Sequence, residues 1–99
     1  MASTRDYLEY VLEQLQLVPE ITSRPMMGEY LFYYQGVLFG GVYDNRLLVK
    51  KVPSNTKYEL EEAIPYPNGK PMWLVDFEDQ ELLRDLVQDT CADLIQKEK

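Results

Sequence analysis

"SRPMMGEYLFYYQGVLFGGVYDNRLLVKK", residues 23–51, holds six of the chain's twelve aromatic residues and four of its five glycines. β-Branched and aromatic residues dominate it, and two short polar breaks divide it. Gln35-Gly36 and Asp44-Asn45 each fit a two-residue hairpin turn, although only the first has the glycine such turns favour. The run therefore predicts a three-strand antiparallel meander. With both turns closed, Tyr34 pairs with Val37, Phe32 with Phe39, Tyr30 with Gly41, Tyr43 with Arg46, and Gly41 with Leu48.

Side chains alternate across a sheet, so this register sorts them. Tyr30, Phe32, Tyr34, Phe39, Tyr43, Arg46, Leu48 and Lys50 share one face. Leu31, Tyr33, Leu38, Gly40, Val42, Leu47 and Val49 share the other. The second face is aliphatic and lacks charge except at its ends, Glu29 and Lys51, which makes it the expected core side. The glycines read as structural. "GVLFGG" does not open into a helix, as a Walker loop or dinucleotide fingerprint must. Gly36 suits the turn, and Gly40-Gly41 suits a bulge or the close approach of a helix across the sheet.

Working outward, Leu8, Val11, Leu12, Leu15 and Val18 form one stripe and predict a helix over 4–17. Ser3 and Asp6 stand as a capping box, and Pro19 marks the far end. "EITSRPMM" is β-prone, but Pro25 removes a ladder donor and restricts it to an edge strand or an irregular lead-in. Residues 54–63 suggest a short helix begun by Ser54, and "PYPNGKP" (65–71) is a loop. "MWLVDF" supplies one buried strand. Residues 79–96 form a second long helix with Leu83, Leu86, Val87, Thr90, Leu94 and Ile95 on one stripe. Acids at Glu78, Asp79 and Glu81 complement its positive end. The order gives a single α+β domain over 1–99. It has two layers: an antiparallel sheet with a central meander, and the N- and C-terminal helices on one face.

Ninety-nine residues support one core and hide roughly two-thirds of the surface of the unfolded chain. The net charge of −7 opposes a phosphate backbone unless the bases cluster. Residues 24–51 carry four bases against two acids, and residues 76–99 carry eight acids against three bases. With one cysteine, no intrachain disulfide can form. "MASTRDYLEYVLEQLQ" lacks the apolar core of a signal peptide, and no run approaches the roughly 18 apolar residues of a membrane span. The expectation is a cytoplasmic domain with no membrane association.

Catalytic chemistry is scarce. The chain has no histidine, and Cys91 lies in the last helix with no base to activate it. "DFEDQE" is the densest acidic run, and a helix start explains it. The residues predict no enzyme, no metal and no cofactor, and a small-molecule-binding domain stands as an alternative with no motif behind it. One constellation has more than one reading: Tyr30, Phe32, Tyr34, Phe39 and Tyr43 with Arg46 and Lys50. Aromatics and bases on an open sheet can grip single-stranded nucleic acid, and Arg24 would join Arg46 and Lys50 there. The same face can instead lie under the protein's own loop and helix, or meet a protein partner or a second copy of the chain. The overall charge argues against nucleic acid.

"ITSRPMMGEYLFYYQGVLFGGVYDNRLLVK" resembles the signature of the TfoX/Sxy N-terminal domain. Arg24, Met26, Gly28, Tyr34, Gly36, Phe39, Gly40, Leu47, Val49 and Lys50 fill the places of that signature. The flanking helix and the late strand–helix pair follow in the family's order. The chain departs from the pattern at Met27, at Glu29, and in "MWLVD", which lacks a closing proline. The resemblance implies the α+β fold and, by association, a regulatory protein-interaction role. The family's named members are competence regulators described as acting with a cyclic-AMP receptor protein at promoters. They carry a second, C-terminal domain, which is not expected within these 99 residues.

Overall fold

A computed structural model describes residues 3–97. Helix α1 spans Arg5–Gln14, and strands β1 (Ile21–Met26), β2 (Glu29–Tyr34), β3 (Val37–Val42) and β4 (Leu47–Val49) follow. A 3-10 helix, Pro53–Tyr58, leads to β5 (Glu61–Ala63), β6 (Met72–Val75) and α2 (Gln80–Lys97). The strands make one six-stranded antiparallel sheet in the order β1-β2-β3-β4-β6-β5. Both helices pack on one face of it, so the expected two-layer α+β architecture is correct. Among the described residues no helix is long and apolar enough to cross a membrane.

Both turns of the meander close as the sequence predicts. Gln35 and Gly36 have φ of 51° and 81°, and Asp44 and Asn45 have 53° and 55°, the left-handed pair that matches strand twist. Tyr43 and Arg46 exchange backbone hydrogen bonds of 2.9 and 3.1 Å across the second turn. β1 is an edge strand, and Pro25 lies in it where the missing donor costs least.

The register of the meander differs from the expectation in one place, and that place decides which face is buried. Tyr34 pairs with Val37 and Tyr33 with Leu38, but Phe32 pairs with Gly40 and Tyr30 with Val42. Phe39 is the extra residue of a β-bulge. A one-residue insertion exchanges the two faces of a strand beyond it. Val37 and Phe39 thus share the helix side with Val42, Leu47 and Val49, while Leu38 shares the opposite side with Tyr43 and Leu48. The expected aliphatic core face is therefore incorrect as drawn. The helices cover half of it together with half of the aromatic face.

The bulge also explains the paired glycines. A β-carbon on Gly40 would lie 2.2 Å from the Leu48 carbonyl oxygen, and one on Gly41 would lie 2.3 Å from that of Tyr30. The neighbouring strands, and not a helix, approach too closely for a side chain.

Three boundaries shift for physical reasons. The cap of α1 is Thr4, whose Oγ1 accepts from the Tyr7 amide at 3.2 Å, so the Ser3 capping box is not formed. Ser3 is drawn to Glu29 instead: its amide and hydroxyl both donate to the carboxylate, at 3.0 and 2.6 Å. Regular helix stops at Gln14, and tight turns then carry Leu15 and Val18 into the core. The helix expected over 54–63 is a 3-10 turn that Glu59, at φ 54°, ends. Beyond it the chain extends to pair with β6.

A buried polar knot joins that 3-10 turn to the rest. Asn55 is fully buried and uses every polar position of its amide. Nδ2 donates to the Lys50 carbonyl at 2.8 Å and to the Thr90 hydroxyl at 2.9 Å. Oδ1 accepts from the Val52 amide at 3.1 Å and from the Trp73 indole at 2.8 Å. Removing such a hub strands several buried groups at once, each costing about 1–3 kcal/mol. Asn55→Ala should therefore lose at least about 3 kcal/mol in urea unfolding followed by Trp73 fluorescence. A loss below about 1 kcal/mol would show that the knot adds little.

Candidate functional site

The aromatic and basic residues expected to form one interaction face lie on two. Phe32 and Phe39 are 0% exposed, with ring centroids 6.3 Å apart beneath the helices. Tyr30 and Tyr34 are half-buried against the same core. The first half of the run is thus covered by the protein's own helices, and Phe32 and Phe39 offer no surface to a partner or a second copy. Tyr43, Arg46 and Lys50 belong to the opposite, open side.

On that side Arg46 works as a clamp. Its Nε donates to the Tyr43 carbonyl at 3.1 Å and its Nη2 to the Ile64 carbonyl at 2.9 Å, tying the second hairpin turn to the start of the proline-rich loop. Arg24 lies 5.8 Å from the centre of the Tyr33 ring, on β1. Of the three bases that would have met nucleic acid, Arg24 and Arg46 are each engaged locally, and Lys50 lines the groove. Of the remaining signature positions, Gly28 and Gly36 take positive φ in turns, Gly40 permits the bulge, and Met26 reaches the open side.

The loop 64–71 folds back over the open face and leaves a groove of about 890 Å³. Leu31, Leu38, Tyr43 and Met72 line its sheet side, and Tyr66 and Lys70 belong to the loop wall. The wall is held in shape from within. Pro65 is buried, Asn68 takes φ 69°, and the Gly69 amide donates to the Tyr66 carbonyl at 2.9 Å. The Tyr66 ring packs 6.3 Å from that of Tyr43. Burial, chiefly, raises the Tyr43 hydroxyl pKa above the usual tyrosine value, with Tyr66, Glu29 and Tyr33 adding to it. Tyr43 accordingly stays neutral across the physiological range.

Charge is unevenly placed around this groove. Lys50, Lys51 and Lys70 line it, and among the described residues no Asp or Glu does. Lys51 is engaged, paired with Glu62 and held 4.5 Å from the centre of the Trp73 ring. Lys50 and Lys70 form no ion pair among the described residues.

Reactive groups elsewhere are structural in their settings. Cys91 is buried in α2, and burial pushes its thiol up to about 11. Tyr58 is raised first by burial and then by donating to Asp89 at 2.7 Å, which itself pairs with Lys57 at 3.1 Å. Among the described residues no three His, Cys, Asp or Glu side chains converge as a metal site. No buried side-chain nitrogen or oxygen there lacks a partner.

Sequence reasoning missed three residues that shape the site. Glu29 anchors both the N-terminal segment and the second turn, accepting from Ser3 and from the Asp44 amide at 3.1 Å. Asn55 sets the path of the chain beyond Lys50, and Tyr66 closes the groove. The triple-proline setting of Asn68-Gly69 signalled a rigid loop but not where it lay down.

The signature that the resemblance rests on is spread through this framework at turns, the bulge and the groove edge. Comparison with known proteins agrees. An uncharacterized 12.7 kDa protein in the trpE 5′ region of Spirochaeta aurantia is 30% identical over 98 residues, covering 95% of this chain and 85% of the relative. The family model for the TfoX N-terminal domain matches residues 13–93. The chain belongs to the TfoX N-terminal domain family.

Proposed function

We propose that this protein is a non-enzymatic regulatory module that acts by binding another protein through the open face of its sheet. The observation that carries the reading is the preformed groove between that face and the loop 64–71. The helix-side face is consumed by the core, whereas on the other side a smaller buried cluster of Tyr43, Leu48 and Met72 underlies a groove that half-buried Leu31 and Leu38 also line. Tyrosine and methionine are enriched at protein interfaces, and clefts are where specific contacts converge. Met26 and Tyr66 add exposed apolar area at its edge, being 40% and 53% exposed. Membership of a family associated with competence regulation supports a regulatory role, and the buried, unactivated Cys91 supports a non-catalytic one.

In-cell photo-crosslinking tests this. With benzoylphenylalanine at Tyr66, on the groove wall, a discrete adduct with another polypeptide is expected. The same group at Glu13, exposed on α1, should yield none. Equal adducts at both positions, or none at Tyr66, would contradict the proposal.

A further inference from the structure

The groove runs against the charge of the molecule that holds it. Seventeen acids and ten bases give the chain −7, yet among the described residues three lysines and no carboxylate line this one concavity. Lys51 has Glu62 and the Trp73 ring. Lys50 is half-buried where β4 ends and forms no ion pair among the described residues. Lys70 stands on the facing loop, also without an ion pair among the described residues. Between them lies an apolar floor that includes Leu31, Leu38 and Met72.

We infer that the groove receives an acidic segment of a partner protein, with an apolar or aromatic residue seated on the Leu38–Met72 floor and carboxylates at Lys50 and Lys70. This rests on the protein-binding reading above and adds the chemistry of the occupant. A short acidic segment fits because it needs positive potential only within the groove, where a low-dielectric wall strengthens it. A nucleic acid would extend beyond the groove into the field of a strongly acidic protein. It would also want Arg46, which is committed to the carbonyls of Tyr43 and Ile64. A second copy of the chain brings another −7 and is repelled at long range.

Selection of a random-peptide phage library on the immobilised 99-residue chain tests the inference without assuming a partner sequence. The enriched peptides should be net acidic with at least one Leu, Phe, Trp or Tyr. A synthetic copy of the strongest should bind at least about tenfold more weakly to the Lys50→Gln/Lys70→Gln double variant, by fluorescence anisotropy. A thymidine oligonucleotide should not compete. Affinity for the unsubstituted chain should fall as salt rises, a result that needs no variant to fold.

Enrichment of neutral or basic peptides that compete for the groove would overturn the acidic preference and leave protein binding intact. Recovery of no peptide would overturn both. Salt-independent binding, or competition by the oligonucleotide, would also defeat the inference.

Discussion

Gly40→Ala should cost at least about 3 kcal/mol, the upper end of what overpacking a protein interior costs. The added carbon would sit 2.2 Å from the Leu48 carbonyl oxygen and 2.9 Å from the Val49 α-carbon, both backbone atoms of β4. A side chain in the way can rotate, but a strand cannot. Relief requires β3 and β4 to separate, which breaks the ladder that positions Lys50 and the edge of the groove. Small domains hold only about 5–15 kcal/mol in total, so the variant should unfold at a much lower urea concentration. A midpoint close to that of the unsubstituted protein would mean that the strands do not approach this closely.

Phe39→Arg should abolish the native fold. Phe39 is fully buried against Phe32 in a cluster that draws on both helices, and no Asp or Glu is buried among the described residues to receive a guanidinium. Losing the ring alone costs about 3–5 kcal/mol, and an unpaired buried charge adds several more. The neighbouring Leu38→Arg should remain folded, because Leu38 is half-exposed at the groove. Circular dichroism and size-exclusion chromatography on the pair read the result. The contrast tests the assignment of faces as well as the core: a folded Phe39→Arg beside an unfolded Leu38→Arg would reverse it.

Much of the fold is written locally. The stripe Leu83, Leu86, Val87 and Thr90 specifies its helix by spacing alone, and those residues are buried as expected. Gln35-Gly36 and Asp44-Asn45 announce their turns because few other pairs accept two positive φ values. Pro25 limits β1 to an edge because it cannot donate. The family resemblance adds a signature whose glycines have the turn and bulge roles that their spacing suggests.

What was not legible depends on contacts distant in sequence. The bulge at Phe39 arises between strands, and its only local sign was the unusual Gly40-Gly41 pair. That single inserted residue rearranged the two faces and divided the aromatic set, placing Phe32 and Phe39 under the helices and Tyr43 in a smaller buried cluster on the other side of the sheet. Helix periodicity could not detect that Glu59 would adopt a left-handed conformation and release residues 61–63 to pair with β6. Asn55 and Thr90 meet across 35 residues, so neither looks special in its own segment. The groove has the same origin, since the loop 64–71 approaches strands β2 and β3 only in the folded chain.

The assignment of core and open faces rests on the bulge, and interstrand nuclear Overhauser effects across β2 and β3 test it directly. Cross-strand backbone contacts of Phe32 with Gly40 and of Tyr30 with Val42 are expected, together with ring contacts of Phe39 to side chains of α1 or α2. An unbroken register with Phe32 opposite Phe39, Tyr30 opposite Gly41 and the Phe39 ring in solvent would contradict it.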